Sequence, residues 1–169
     1  MPKLIIGQPA PDFELPDLDG SPIRLADLRG QVVLVNFWSA ECPWVERIDR
    51  ELAAQPMPGV ILLAVASNRT EPPELLRQVA SERGLPRVLV DADQTVADLY
   101  GVETTPHFFL VDGAGILRYQ GAYDDVTFRS RAPTRSYVRE AVRAIERGRA
   151  VEIEETPPYG CSVIRFSAE

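Results

Sequence analysis

One short stretch constrains this chain more than any other. Residues 31–38, Gln-Val-Val-Leu-Val-Asn-Phe-Trp, are a nearly unbroken run of β-branched and aromatic side chains. A strand wetted on one face alternates apolar and polar residues, whereas a continuous run suits a strand covered on both faces. Such strands belong to sheets with helices packed against them. A helix follows at once. Pro43 suits a first helical turn. Val45, Ile48 and Leu52 recur at helical spacing, so a helix is expected over 43–54. The junction between strand and helix holds Cys42.

The remaining segments extend this pattern. Phe13-Glu14-Leu15 and Ile23-Arg24-Leu25 flank an Asp19-Gly20 turn, which reads as a small hairpin. A second buried strand is expected at 60–66 and a helix over 71–83, with Leu75, Leu76 and Val79 on one face. A short strand at 88–90 and a short helix at 93–100 come next. Residues 108–111 and 116–119 flank Asp112-Gly-Ala-Gly115 as an antiparallel hairpin. A final amphipathic helix spans 134–147 and ends at Gly148. Strands joined by helices imply parallel pairing, and the late hairpin adds antiparallel strands. The expected class is α/β, a mixed sheet flanked by helices on both faces, with an N-terminal β-hairpin. Residues 1–149 form the domain, and 150–169, with Pro157-Pro158, form an extended C-terminal tail.

Composition narrows the function. A net charge of −7 argues against nucleic acid and anionic membranes as main partners. No stretch approaches the roughly 20 apolar residues of a membrane-spanning helix. The apolar run in Met1–Gly7 is too short for a signal peptide, so a cytoplasmic location is expected. Two cysteines, Cys42 and Cys161, and one histidine, His107, are too few for a zinc site. No metal or cofactor is expected, and the thiols are left with redox or nucleophilic chemistry, or with inert burial.

Position favours chemistry at Cys42. A helix N-terminus offers unpaired N–H groups and a partial positive charge, and both stabilise a thiolate. A thiol there titrates at roughly 3.5–7.5 instead of about 8.5. The thiolate is the nucleophile in disulfide exchange and in peroxide attack. The adjacent Glu41 opposes this, since a nearby negative charge raises a thiol pKa. Arg47, one turn on, is a candidate to offset Glu41, or is simply solvated.

The segment Asn36-Phe37-Trp38-Ser39-Ala40-Glu41-Cys42-Pro43-Trp44-Val45 resembles the active-site segment of thioredoxin-like redoxins. That superfamily includes the alkyl hydroperoxide reductase/thiol-specific antioxidant proteins. Thr104-Thr105-Pro106 resembles the cis-proline loop of these proteins, and Ile6–Phe13 is similar to the entry segment of peroxiredoxin-like members. The resemblance covers residues 6 to about 148. It implies a cis Pro106, with Thr105 offering its backbone to an incoming peptide or disulfide. Two departures stand out. Val45 replaces the second cysteine of a Cys-x-x-Cys pair. Ser39 fits the hydroxyl position that precedes a peroxidatic cysteine, but Val35 replaces the proline, and no peroxidase arginine is evident near the Thr-Pro loop. The ending Tyr159-Gly160-Cys161-Ser162-Val163-Ile164 resembles the Gly-Cys-Ser terminus of a redoxin branch whose active site reads Cys-Pro-x-Val. That likeness makes Cys161 a candidate to resolve an oxidised Cys42. The alternative is that Cys161 packs as a small apolar residue while the tail covers a sheet edge.

Other residues take supporting roles. Trp44 is a candidate surface for a partner, whereas Trp38 is as readily core. His107 is either a modulator of Cys42 or a hydrogen-bonded bystander. The polar, arginine-bearing loop from Asp124 to Arg135 carries no assigned chemistry. Three functions are consistent with this reading. The first is thiol–disulfide exchange on a protein or small-molecule disulfide, with an external thiol reductant. The second is peroxide reduction at Cys42 assisted by Ser39. The third is a non-catalytic binding module.

Overall fold

The computed structural model describes residues 3–166. The hairpin pairs β1 (Glu14–Pro16) with β2 (Pro22–Arg24), antiparallel. Asp17 closes its turn by accepting the Asp19 and Ser21 amides on one carboxylate oxygen. A 3₁₀ turn at Leu25–Leu28 leads into β3 (Val32–Trp38). After it come α1 (Pro43–Ala54), β4 (Val60–Ala66), α2 (Pro73–Arg83), β5 (Val88–Val90) and α3 (Thr95–Leu99). Two residues, Thr104–Thr105, form β6, and His107–Val111 form β7. Then β8 (Leu117–Gly121), α4 (Tyr137–Glu146) and β9 (Cys161–Ser162) complete the chain.

The five-stranded central sheet has the order β5-β4-β3-β7-β8. As the continuous apolar run requires, β3 is its middle strand. It pairs parallel with β4 and antiparallel with β7. β4 and β5 are parallel, and β7 and β8 form the late hairpin. Two faces follow from strand alternation. Val33, Val35 and Phe37 of β3 join Leu63, Val65, Phe109 and Tyr100 in one core layer, covered by α3 and the N-terminal hairpin. Leu34 and Trp38 point the other way, toward α1, α2 and α4. Helices therefore cover both faces of a thioredoxin-like mixed sheet. Burying these layers supplies the main stabilisation, at about 25 cal/mol per Å² of apolar surface removed from water.

Three helix starts differ from the sequence expectation. α2 begins at Pro73 instead of residue 71, because Pro72 is extended at the cap and Pro73 takes the first helical position. α3 begins at Thr95 instead of residue 93, because Asp93 stays outside the helix and its carboxylate accepts the Thr95 amide at 3.1 Å. α4 begins at Tyr137 instead of residue 134. The Asp125 carboxylate accepts the Thr134 amide, and Ser136 caps the helix by accepting the Arg139 amide.

The tail is not a free extension. Thr156 donates its amide to Gln120, and Gln120 donates its own to Glu154. Gly121 permits this close approach, since a Cβ there would overlap the Thr156 backbone. Further on, β9 pairs antiparallel with β6, Thr104 opposite Ser162 and Thr105 opposite Cys161. Val163 donates its amide to Glu103 at 2.9 Å and is buried in the first core layer.

Candidate redox site

Cys42 is the N-cap residue of α1, in extended backbone geometry, and its carbonyl accepts the Glu46 amide at 3.1 Å. Pro43 occupies the first helical position, so it removes a donor that would have had no helical partner. Cys42 is 3% exposed and packs with Trp38, Ala40 and Val45. Its Sγ lies 3.5 Å from the Thr105 carbonyl oxygen. The Thr105–Pro106 bond is cis, as the resemblance implied.

Cys42 is joined to Cys161 in a disulfide, with Cα atoms 6.1 Å apart across a sequence separation of 119 residues. The β6–β9 ladder produces this pairing: it sets Cys161 opposite Thr105, the residue whose carbonyl faces Cys42. Gly160 makes the approach possible, because a Cβ there would overlap the Thr105 carbonyl. Cys161 is held on both sides. Tyr159 packs edge-on against Trp44, with centroids 5.0 Å apart. Beyond it, the Ile164 amide donates to Asn68 Oδ1 at 2.8 Å, and the Ile164 carbonyl accepts from Gln94 Nε2 at 2.8 Å.

The loop before Cys42 is fixed by residues that the sequence reading missed. Glu71, 7% exposed, is a buried carboxylate just ahead of α2. It accepts the Ser39 hydroxyl, the Ala40 amide at 3.2 Å, the Glu41 amide at 3.3 Å and Asn68 Nδ2 at 3.2 Å. From the other side, Arg83 donates to the Ala40 carbonyl at 2.7 Å and to Asp49 at 2.9 Å. Asp49 is itself 1% exposed and accepts Trp38 Nε1 at 2.7 Å. Burial pushes the Asp49 carboxyl above its ordinary pKa, against the lowering pull of Trp38 and Arg83. No local pattern marks Glu71 or Arg83, since each acts on a loop at least thirty residues away in sequence.

The other predicted residues separate. Trp38 is fully buried core, and Trp44 is half-buried beside the disulfide. Glu41 is exposed. Arg47 does not turn to it: both terminal nitrogens bind Asp124 at 2.9 Å, a bidentate pair that ties α1 to the loop after β8. His107 is not brought to Cys42. It pairs in register with Phe37, and so projects into the layer on the opposite sheet face, stacked on Phe109 at 4.4 Å. Burial lowers its pKa to about 4. It lines a cavity of about 490 Å³ with Tyr100, Thr104, Gln120 and Pro157.

A cysteine capping a helix after a central strand, beside a cis-proline loop, is an arrangement of the thioredoxin-like class. The AhpC/TSA family model matches residues 6–120, and the chain belongs to that family. It is 36% identical over 115 residues to the thiol-disulfide oxidoreductase ResA of Geobacillus thermodenitrificans, covering 65% of each chain. It is 32% identical over 135 residues to the thiol:disulfide interchange protein DsbE of Pseudomonas aeruginosa, covering 76% of this chain and 74% of that one. The chain thus spans about two thirds of the length of the first of these relatives. Among solved structures, a hypothetical protein from Sinorhizobium meliloti 1021 superposes with a TM-score of 0.89 at 31% identity, over 99% of this chain and 98% of that one. An uncharacterized conserved protein from Geobacillus kaustophilus gives 0.88 at 32% identity, over 100% and 99%.

Proposed function

We propose that this protein is a thiol–disulfide oxidoreductase whose redox couple is Cys42 and Cys161. The disulfide between the α1 cap and β9 carries this reading. It supplies from the tail the second thiol that Val45 removes from the helix. In the reduced form, the Cys42 thiolate is favoured by the first-turn amides and the helix dipole. It attacks one sulfur of a protein or small-molecule disulfide and displaces the other as a thiolate. Cys161, held opposite Thr105, then attacks Cys42 Sγ, closes the internal disulfide and releases the second substrate thiolate. An external dithiol returns both cysteines to thiols, so two electrons pass per cycle.

The homologues named for thiol–disulfide oxidation and interchange support this reading. Peroxide reduction has less support, since the Ser39 hydroxyl is committed to Glu71. The test is reduction of hydroxyethyl disulfide by the reduced protein. Wild type is expected to turn over with an added dithiol, Cys42→Ser to be inactive, and Cys161→Ser to accumulate a mixed disulfide at Cys42. Failure of the wild type to reduce any disulfide, with rapid oxidation of Cys42 by stoichiometric peroxide, would overturn the proposal in favour of a peroxidase.

A further inference from the structure

The loop between β8 and α4 has a shape that the redox couple does not require. Its root is pinned by the Arg47–Asp124 pair, and Asp125 holds its far end through the Thr134 amide and hydroxyl. Between them, Thr127 and Ser130 exchange backbone hydrogen bonds at 3.0 and 3.2 Å, a tight turn with Phe128 and Arg129 at its tip. This ordered turn displays a phenylalanine that is 61% exposed. The Arg129 guanidinium sits 5.5 Å from the Phe128 ring centroid.

The turn stands beside the disulfide. The Phe128 amide donates to the Tyr159 hydroxyl at 2.8 Å, and the Tyr159 ring packs on Trp44. Trp44 lies two residues after Cys42, and Tyr159 two residues before Cys161. The Trp44–Tyr159 pair and the turn that carries Phe128 therefore lie next to one another beside the redox couple. Arg129 and Arg131, both exposed, follow Phe128 in the same loop. Among the described residues, neither is in an ion pair, in a chain whose net charge is −7. Arg135, by contrast, is satisfied by Glu140. Tyr, Trp, Phe and Arg are the residues enriched in the buried centres of protein interfaces. Two unpaired guanidinium groups on an acidic protein favour a partner of opposite sign to them.

We infer that the rim formed by Trp44, Phe128, Arg129, Arg131 and Tyr159 is the docking surface for the redox partner. The partner is a polypeptide segment whose reactive cysteine is flanked by acidic residues. This inference rests on the proposed disulfide exchange and adds the class of macromolecule that delivers the disulfide. The aromatic residues receive the apolar part of the segment, and the arginines set its orientation and its encounter rate.

Two peptides of equal length test it. Each carries one cysteine as a mixed disulfide with 5-thio-2-nitrobenzoate, flanked in one by Glu and in the other by Lys. Attack by reduced protein on the peptide sulfur expels the coloured thiolate, which reports the rate. The acidic peptide should react about tenfold faster at low salt, and the ratio should fall toward one at about 0.5 M salt, where the screening length is only a few Å. In Arg129→Glu/Arg131→Glu the preference should invert, and Phe128→Ser should slow the acidic peptide. In both variants, turnover of hydroxyethyl disulfide should be unchanged. Equal rates for the two peptides, or a preference that survives the double substitution, would overturn the inference and leave the exchange activity standing. No reaction with hydroxyethyl disulfide in wild type would overturn the exchange activity itself.

Discussion

The disulfide closes a large loop, and its effect on stability can be worked out from that length. Cys42 and Cys161 are 119 residues apart. In the chain-entropy model a cross-link over such a loop removes enough unfolded-state freedom to stabilise the fold by about 5 kcal/mol. The native state changes little on reduction, because hydrogen bonds from Val163 and Ile164 hold the tail independently of the sulfurs. The difference between oxidised and reduced protein should therefore lie in the unfolded chain. With a urea slope of about 2 kcal/mol/M, reduction should lower the unfolding midpoint by about 2–3 M. By the same cycle, the couple should be about 100 mV more reducing in the folded than in the unfolded chain. The assay is urea unfolding followed by circular dichroism, with and without a dithiol, on wild type and on Cys161→Ser. The variant should match reduced wild type and ignore the dithiol. An oxidised midpoint within about 0.5 M of the reduced one would refute the reasoning, because it would mean that the two cysteines are not joined or that the unfolded chain is not constrained.

Glu71→Ala leaves the buried Ser39 and Ala40 donors, and the part-buried Glu41 amide, without their acceptor and should cost about 3 kcal/mol, read as a lower urea midpoint, while Glu71→Gln, which keeps one acceptor oxygen, should cost less. His107 is depressed to about 4 by burial, against about 6.5 in an unfolded chain. The unfolded state binds the extra proton across that window, so stability is full above about 6.5 and falls as pH drops toward 4, by up to about 3 kcal/mol. His107→Phe should flatten that acid limb, and an unchanged limb would rule His107 out as its source. Gly160→Ala should push β9 off β6 and make the disulfide easier to reduce, measured as a less negative midpoint potential in a glutathione titration; an unchanged potential would show that the close contact with Thr105 does not matter.

The elements that local pattern specifies were legible. α1 and β4 have the bounds expected from their apolar spacing, and β5 matches at both ends. β3 was placed at the centre of the sheet by its lack of polar alternation. What escaped depends on contacts between distant segments. The two-residue strands β6 and β9 exist only because they pair with each other, and two residues carry no period. The Glu71 clamp joins a helix start to a loop before another helix. His107 fell on the face away from Cys42 because of the β3–β7 register, which pairs it with Phe37; adjacency to Pro106 in sequence says nothing about face. Cys161 was found through its Gly-Cys-Ser setting, while the geometry that delivers it is the β6 ladder.

The 119-residue separation also has a consequence in time. At about 5–20 residues per second, Cys161 is synthesised roughly 6–24 s after Cys42. β3 and α1 are made early, so Cys42 is translated long before its partner exists. During that interval it is a lone thiol, able to form a mixed disulfide but unable to close a ring. The Cys42–Cys161 bond can close only when β6 is in place to receive β9, so chain elongation itself sets when the two sulfurs can meet.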